Sequence, residues 1–153
     1  MLKKISFIFC LFAVLGTVQS CKKEVDRAQT DKEIIEKYTQ EKEYVAKSLP
    51  SGLYYTIIKE GNTKHPLPQS NITINYKGYL VDGKIFDQTS TEPRTFFLNQ
   101  LILGWQQGLP LIGEGGKIRL YVPSSLGYGE HAKGAIPANS VLIFDIDLIS
   151  VNN

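Results

Sequence analysis

Four runs between Leu53 and Leu148 place apolar residues at every second position, and that period limits the chain's fold more than any other feature. Leu53, Tyr55 and Ile57 alternate with Tyr54, Thr56 and Ile58, and Ile72, Ile74 and Tyr76 with Thr73, Asn75 and Lys77. Ile118, Leu120 and Val122 alternate with Lys117, Arg119 and Tyr121, and Leu142, Phe144, Ile146 and Leu148 with Ile143, Asp145 and Asp147. Successive side chains of a strand point to opposite faces, so each run predicts one apolar and one mixed face, as in an antiparallel sheet covered on one side. Asp82-Gly83, between "YKGYLV" and "KIFDQT", predicts a two-residue hairpin. Only one helix fits between the strands, about Leu103 to Leu109 in "LILGWQQGLPLI", limited by Pro110. One short helix cannot cover a long flat sheet. The expectation is an α+β domain over residues 51–153, a curled antiparallel β-sheet wrapped around one short helix.

Ahead of the domain the pattern changes. Lys3 and Lys4, the apolar run Ile5 to Leu15 and "GTVQSC" have the layout of a secretory signal whose apolar stretch is too short to span a bilayer. The segment ends at Val18-Gln19-Ser20-Cys21, similar to a bacterial lipobox. The expectation is therefore a lipoprotein signal over residues 1–20 and a lipid on Cys21. That places the protein in the bacterial cell envelope, bound to membrane through the lipid. Lys22, rather than Asp, after the cysteine favours the outer membrane. The competing reading is an ordinary secreted protein with a chance cysteine. Residues 21–50 have no glycine and are dense in Lys and Glu. Residues 21–30 read as a flexible tether. A helical extension follows over 31–49, with a helix from about Asp31 to Lys47 opened by a Thr30/Glu33 capping box. With few apolar positions, this helix reads as a solvated spacer rather than a partner-binding or dimerising helix.

Several chemistries are disfavoured by the residues present. Removal of residues 1–20 leaves 15 basic and 15 acidic residues, a balance without the basic face that nucleic acid wants. Cys10 leaves with the signal and Cys21 carries lipid, so the domain has no thiol for a disulfide, a nucleophile or a metal. His65 and His131 are isolated in loop-like segments, without metal-ligand spacing, and read as surface residues. Ser124-Ser125 lack a nucleophile-elbow context, and "GEGGK" (113–117) lacks the residues and strand–loop–helix setting of a phosphate loop. Aromatic residues remain. Phe96 reads as core. Trp105, at the start of the helix, and Tyr128, between Gly127 and Gly129, read as pocket residues, since a polar-tipped ring between two glycines suits a rim better than a core.

Together "INYKGYLVDGKIFDQT", "LILGWQQGLPLI" and "VPSSLGYGEHAKGAIPANSVLIFDIDLI" resemble the FKBP-type peptidyl-prolyl cis-trans isomerases, over about Ser51 to Val151. The resemblance implies a peptidyl-prolyl isomerase that assists folding of envelope or secreted proteins, uses no cofactor and binds proline-containing polypeptides. It puts Trp105 at the floor of an apolar pocket, lined by Tyr76, Phe86, Leu101, Ile102, Ile136 and Phe144, with Asp87 and Tyr128 as its polar groups. Tyr76, Asp87, Trp105 and Tyr128 are the implied catalytic residues. The loop Leu126–Ser140 becomes a flap in which the Tyr128 hydroxyl and the Ile136 N–H grip substrate carbonyls. Asp87 either orients a neighbouring side chain or acts on the carbonyl carbon. The chain departs from the family in carrying Arg94 where a phenylalanine is common and Ala138 where a second proline is common. It is also shorter near Asn99–Gln100. A non-catalytic FKBP-like binding module or chaperone is the alternative; the matching pocket set favours activity.

Overall fold

The computed structural model describes residues 18–153, with side chains from Asp26 onward. The signal segment read over residues 1–20 falls outside the described residues as far as position 17. The elements are α1 (Val18–Glu41), β1 (Lys47–Ser48), β2 (Tyr54–Lys59), β3 (Asn71–Leu80), β4 (Ile85–Gln88), β5 (Arg94–Phe97), α2 (Leu103–Gly108), β6 (Lys117–Val122) and β7 (Leu142–Asn152). The strands form one antiparallel sheet in the order β1-β2-β6-β7-β3-β4, with β5 also paired to β3. Strand β3 is the hub. Strand β7 runs along its full length on one edge; on the other, β4 takes Lys77 to Tyr79 and β5 takes Asn71 to Ile74.

The predicted period decides the inner face. Ile72, Ile74, Ile118, Leu120, Leu142 and Leu148 are all buried there, and the sheet curls around α2, which contributes Trp105 to the same cluster. A Cβ on Gly104 would lie 2.6 Å from a Val122 methyl, and one on Gly108 2.5 Å from Leu120. The helix backbone therefore rests directly on β6, and each fully buried Leu adds about 1.5–3 kcal/mol to that packing. Pro110 falls in a 3₁₀ turn, Leu109–Leu111, that ends the helical segment. The predicted two-residue hairpin is longer. Leu80 N–H bonds Lys84 O at 3.0 Å, leaving Val81-Asp82-Gly83 as the loop, with Gly83 at φ +88°. Three-residue hairpin loops take this form when the glycine sits in the left-handed region.

The outer face differs from the expectation of a sheet covered on one side. Ile35 of α1 is buried there with Tyr121, Val141 and Ile143 as a second apolar cluster. The helix is a layer of the domain rather than a solvated spacer. It also begins earlier than predicted, so the segment read as a 21–30 tether is helical. Thr30 is consequently no cap: its hydroxyl donates back to Asp26 O at 2.8 Å within the helix. The end comes earlier too, at Glu41 instead of Lys47. Glu43 takes a left-handed φ of 56°, and Tyr44 N–H reaches back to Thr39 O at 2.9 Å, a reversal that closes the last turn. Tyr44 then lies beneath the Arg119 guanidinium, 4.2 Å from its ring centroid, while Arg119 Nε donates to Asp145 Oδ1 at 2.5 Å. Lys47, predicted as the last helical residue, and Ser48 pair as a strand with Tyr55 and Tyr54.

Candidate functional site

Where the curled sheet faces the N-terminal end of α2, a cavity of about 570 Å³ opens between the strands and the loop that precedes β7. It is lined by Tyr76, Phe86, Asp87, Leu101, Ile102, Trp105, Tyr128, Ile136 and Phe144, so the structure brings together every pocket residue named from the sequence. Tyr76 and Phe144 come from inward positions of β3 and β7, as the alternation predicts. Ile102 precedes α2, and Trp105 projects from its first turn. Tyr128 and Ile136 come from the loop between β6 and β7.

The floor is a box of rings set edge to face. Trp105 is 5.2 Å from Tyr76 at 79° and 5.0 Å from Phe144 at 88°, and Phe86 meets Phe144 at 5.6 Å and 82°. Such contacts are worth about 0.5–1.5 kcal/mol each beyond the area they bury. Gly78 makes the last pair possible, since a Cβ there would sit 2.6 Å from the Phe86 ring and 2.8 Å from that of Phe144. Trp105 is 5% exposed, and its indole N–H finds no acceptor among the described residues.

One side of the box is polar. Tyr76 donates its hydroxyl hydrogen to Asp87 Oδ2 at 2.5 Å, and Arg94 Nη1 donates to the Tyr76 oxygen at 2.9 Å and to Asp87 Oδ1 at 3.3 Å. Of the two actions open to Asp87, orientation of a neighbouring side chain is the one this contact supports. Burial, then the hydrogen bond and charge of Asp87, push the Tyr76 phenol up to about 12, against an opposing effect of Arg94. Burial and the Asp87 charge also raise the Tyr128 phenol. Both hydroxyls therefore stay protonated at neutral pH and can donate.

Some expectations change. Phe96, read as core, is half-buried and lines the cavity, because β5 pairs in register with β3 and turns Phe96 to the inner face and Phe97 outward. Gln100, Lys133, Gly134 and Ala135 also line it. Phe96 lies in a strand of four residues, too short to show a period, and the others lie in turns and loops that have none. The Ile136 N–H, expected to grip substrate, donates to Lys133 O at 3.0 Å in a tight turn of the flap. His65 and His131 are exposed. Among the described residues, no group of three or more His, Cys, Asp or Glu side chains could hold a metal.

The sequence pattern of the FKBP-type peptidyl-prolyl cis-trans isomerases matches residues 62–149. The chain belongs to this family. It is 40% identical over 138 residues to the FKBP-type isomerase FkpA of Aeromonas hydrophila, covering 84% of this chain and 52% of that protein. With FkpA of Escherichia coli K12 it shares 40% over 132 residues, covering 85% and 48%. The chain thus spans about half the length of the curated relatives it matches. Its fold is similar to the crystal structure of FkpA from Escherichia coli, with a TM-score of 0.74 at 39% identity over 88% of this chain and 63% of that one. A peptidyl-prolyl cis-trans isomerase from Pseudomonas syringae pv. tomato gives a TM-score of 0.73 at 29% identity, over 92% of this chain and 100% of that one. The match to the family pattern contains Tyr76, Asp87, Trp105, Tyr128 and the other pocket residues.

Proposed function

We propose that this protein is a peptidyl-prolyl cis-trans isomerase that turns X-Pro bonds of polypeptides folding in the bacterial envelope. The observation that carries this reading is the box of edge-to-face rings around Trp105, with Asp87 and the Tyr128 hydroxyl at its border. The barrier to be lowered, ~18–20 kcal/mol, is the amide resonance lost as the C–N bond twists. A planar amide is the more dipolar state and is better solvated by water than the twisted one. Moving the bond from water to an apolar box therefore raises the ground state relative to the transition state, which is differential binding. In this reading the proline ring lies on the Trp105 indole. The Tyr128 hydroxyl donates to a flanking carbonyl, and the Ile102 N–H, which lies ahead of the α2 hydrogen-bond ladder, takes the gripping part that Ile136 cannot. Asp87, held by Arg94, keeps Tyr76 in place as a wall. No nucleophile, metal or cofactor takes part in these steps.

The same proposal makes Cys21 the lipid attachment point of an outer-membrane lipoprotein. Support comes from the signal-like residues before it. No helix among the described residues is long and apolar enough to cross a membrane. Arg27, only six positions later, already touches the domain, and the residues between them are helical, so a lipid on Cys21 would hold the domain within about 10 Å of the bilayer, given ~1.5 Å of rise per helical residue.

The test is cis-to-trans exchange of a short Leu-Pro peptide with the full chain, comparing wild type, Trp105→Ala and Trp105→Leu. The leucine variant covers the case in which the roughly 3–5 kcal/mol cost of a Trp-to-Ala cavity prevents folding. Wild type should accelerate an exchange that otherwise takes tens to hundreds of seconds. Folded variants should lose about tenfold or more of kcat/KM. A folded wild type that leaves the rate untouched would move the reading to a peptide-binding module or chaperone.

A further inference from the structure

We propose that Arg27 and Asp31 of α1 are positioning residues for Tyr128, acting through both legs of the flap loop. The inference rests on the isomerase reading for its consequence, but the brace itself is a matter of named contacts. Asp31 is 1% exposed, although it is an acid on a helix whose other face is solvated. One of its carboxylate oxygens accepts from the Ser124 N–H at 2.8 Å and from the Ser124 hydroxyl at 2.6 Å; the other accepts from Arg27. Ser124 in turn lends its carbonyl to two amides, Gly127 N–H at 3.0 Å and Gly129 N–H at 2.8 Å. These are the two neighbours of Tyr128.

The second leg ends at the same place. Arg27 Nη2 donates to Asn139 O at 2.6 Å, and Asn139 N–H donates to Gly129 O at 2.7 Å. Gly129 is thus held through its N–H from the Asp31 side and through its C=O from the Arg27 side. Its φ of +58° suits glycine and sets the turn that follows Tyr128. Asn139 itself takes a left-handed φ of 58° to present its carbonyl to Arg27. Among the described residues the Tyr128 side chain has no hydrogen bond, and its one backbone bond, from the His131 N–H to its carbonyl at 3.2 Å, stays within the flap, so its position over the pocket depends on its neighbours. A buried carboxylate is retained where it is paired and fully hydrogen-bonded, and here each of its bonds leads to the flap or to the other arm of the brace. A flap fixed before substrate arrives spares the reaction the ordering of Tyr128.

The experiment pairs amide hydrogen exchange with kinetics on the full chain, for wild type, Asp31→Asn, Tyr128→Phe and the double variant. Asp31→Asn should speed exchange of the Gly127, Gly129 and Asn139 amides roughly tenfold or more while the β6–β7 ladder keeps its protection. It should lower kcat/KM about fivefold in the wild-type background and less than about twofold in Tyr128→Phe, a coupling that a general loss of stability would not produce. Unchanged exchange at the three amides, or effects of the two substitutions that multiply in full, would overturn the proposal. Should Asp31→Asn not fold, Ser124→Ala removes one of the two Ser124 contacts and carries the same comparison. Absence of isomerase activity in the wild type would overturn the isomerase reading; the exchange readout needs no substrate and decides the brace in either case.

Discussion

At Gly78 the missing side chain lets two rings, from β4 and β7, meet above the backbone of β3, and those rings form one wall of the pocket. Gly78→Ala would place a methyl 2.6 Å from Phe86, closer than any real contact, so the Phe86 ring must move. We expect a stability loss of about 1–3 kcal/mol, as for other overpacked sites. A fall in kcat/KM of roughly tenfold should accompany it, since misplaced positioning groups cost catalysis steeply. Urea denaturation and peptide exchange measured together check this; full activity in a destabilised variant would remove Phe86 from the working wall. Arg94 is a second informative position. Where the resemblance leads one to expect a phenylalanine wall, its guanidinium instead joins Tyr76 and Asp87, so the position contributes charge rather than a ring. Tyr76 and Phe144 were legible as inward residues because strand side chains alternate. Phe96 was not, because the four residues of β5 are too few to display a period and its face follows from pairing with β3.

Among the elements, α1 departs most from its sequence. Its apolar residues are sparse and its surface is charged, and both point to a solvated rod. The contacts that dock it are few and specific: Ile35 within the outer cluster, Tyr38 edge-on to the Tyr121 ring, Glu36 accepting from the Tyr54 hydroxyl, and the Arg27–Asp31 pair reaching Ser124 and Asn139. Ile35→Ala should therefore cost about 2–4 kcal/mol, the range for a large-to-small change at a buried site, and should lower the midpoint of a single unfolding transition. A midpoint equal to wild type would return α1 to the status of a spacer. The docking was not legible because its polar partner lies 93 positions away from Asp31. Capping and period rules read only near neighbours. The strands β2, β3, β6 and β7 were legible for the opposite reason: inner and outer positions differ within each run.

For the whole molecule, both sheet faces are covered, and six tyrosines (Tyr38, Tyr54, Tyr76, Tyr79, Tyr121 and Tyr128) have their phenols raised above 10.0, in each case chiefly by burial. An unfolded chain would begin to release these protons near pH 10, whereas the folded protein holds that of Tyr76 to about 12. Between those values the folded state binds more protons, so stability falls as pH rises; below pH 10 the contribution is present in full. Urea midpoints at pH 8, 10 and 11 should drop over the last interval, with phenolate absorbance appearing on unfolding, and a flat series would contradict the burial. Alternation established the α+β class and the inward residues of the long strands, because the direction of a strand side chain is a local consequence of backbone geometry. The single proline-limited helix implied the curl. Local pattern carried no information on what covers the outer face, where α1 docks, or which loop atoms hold Tyr128. Those outcomes depend on contacts between residues remote in the chain, such as Asp31 with Ser124, and exist once the strands between them have paired.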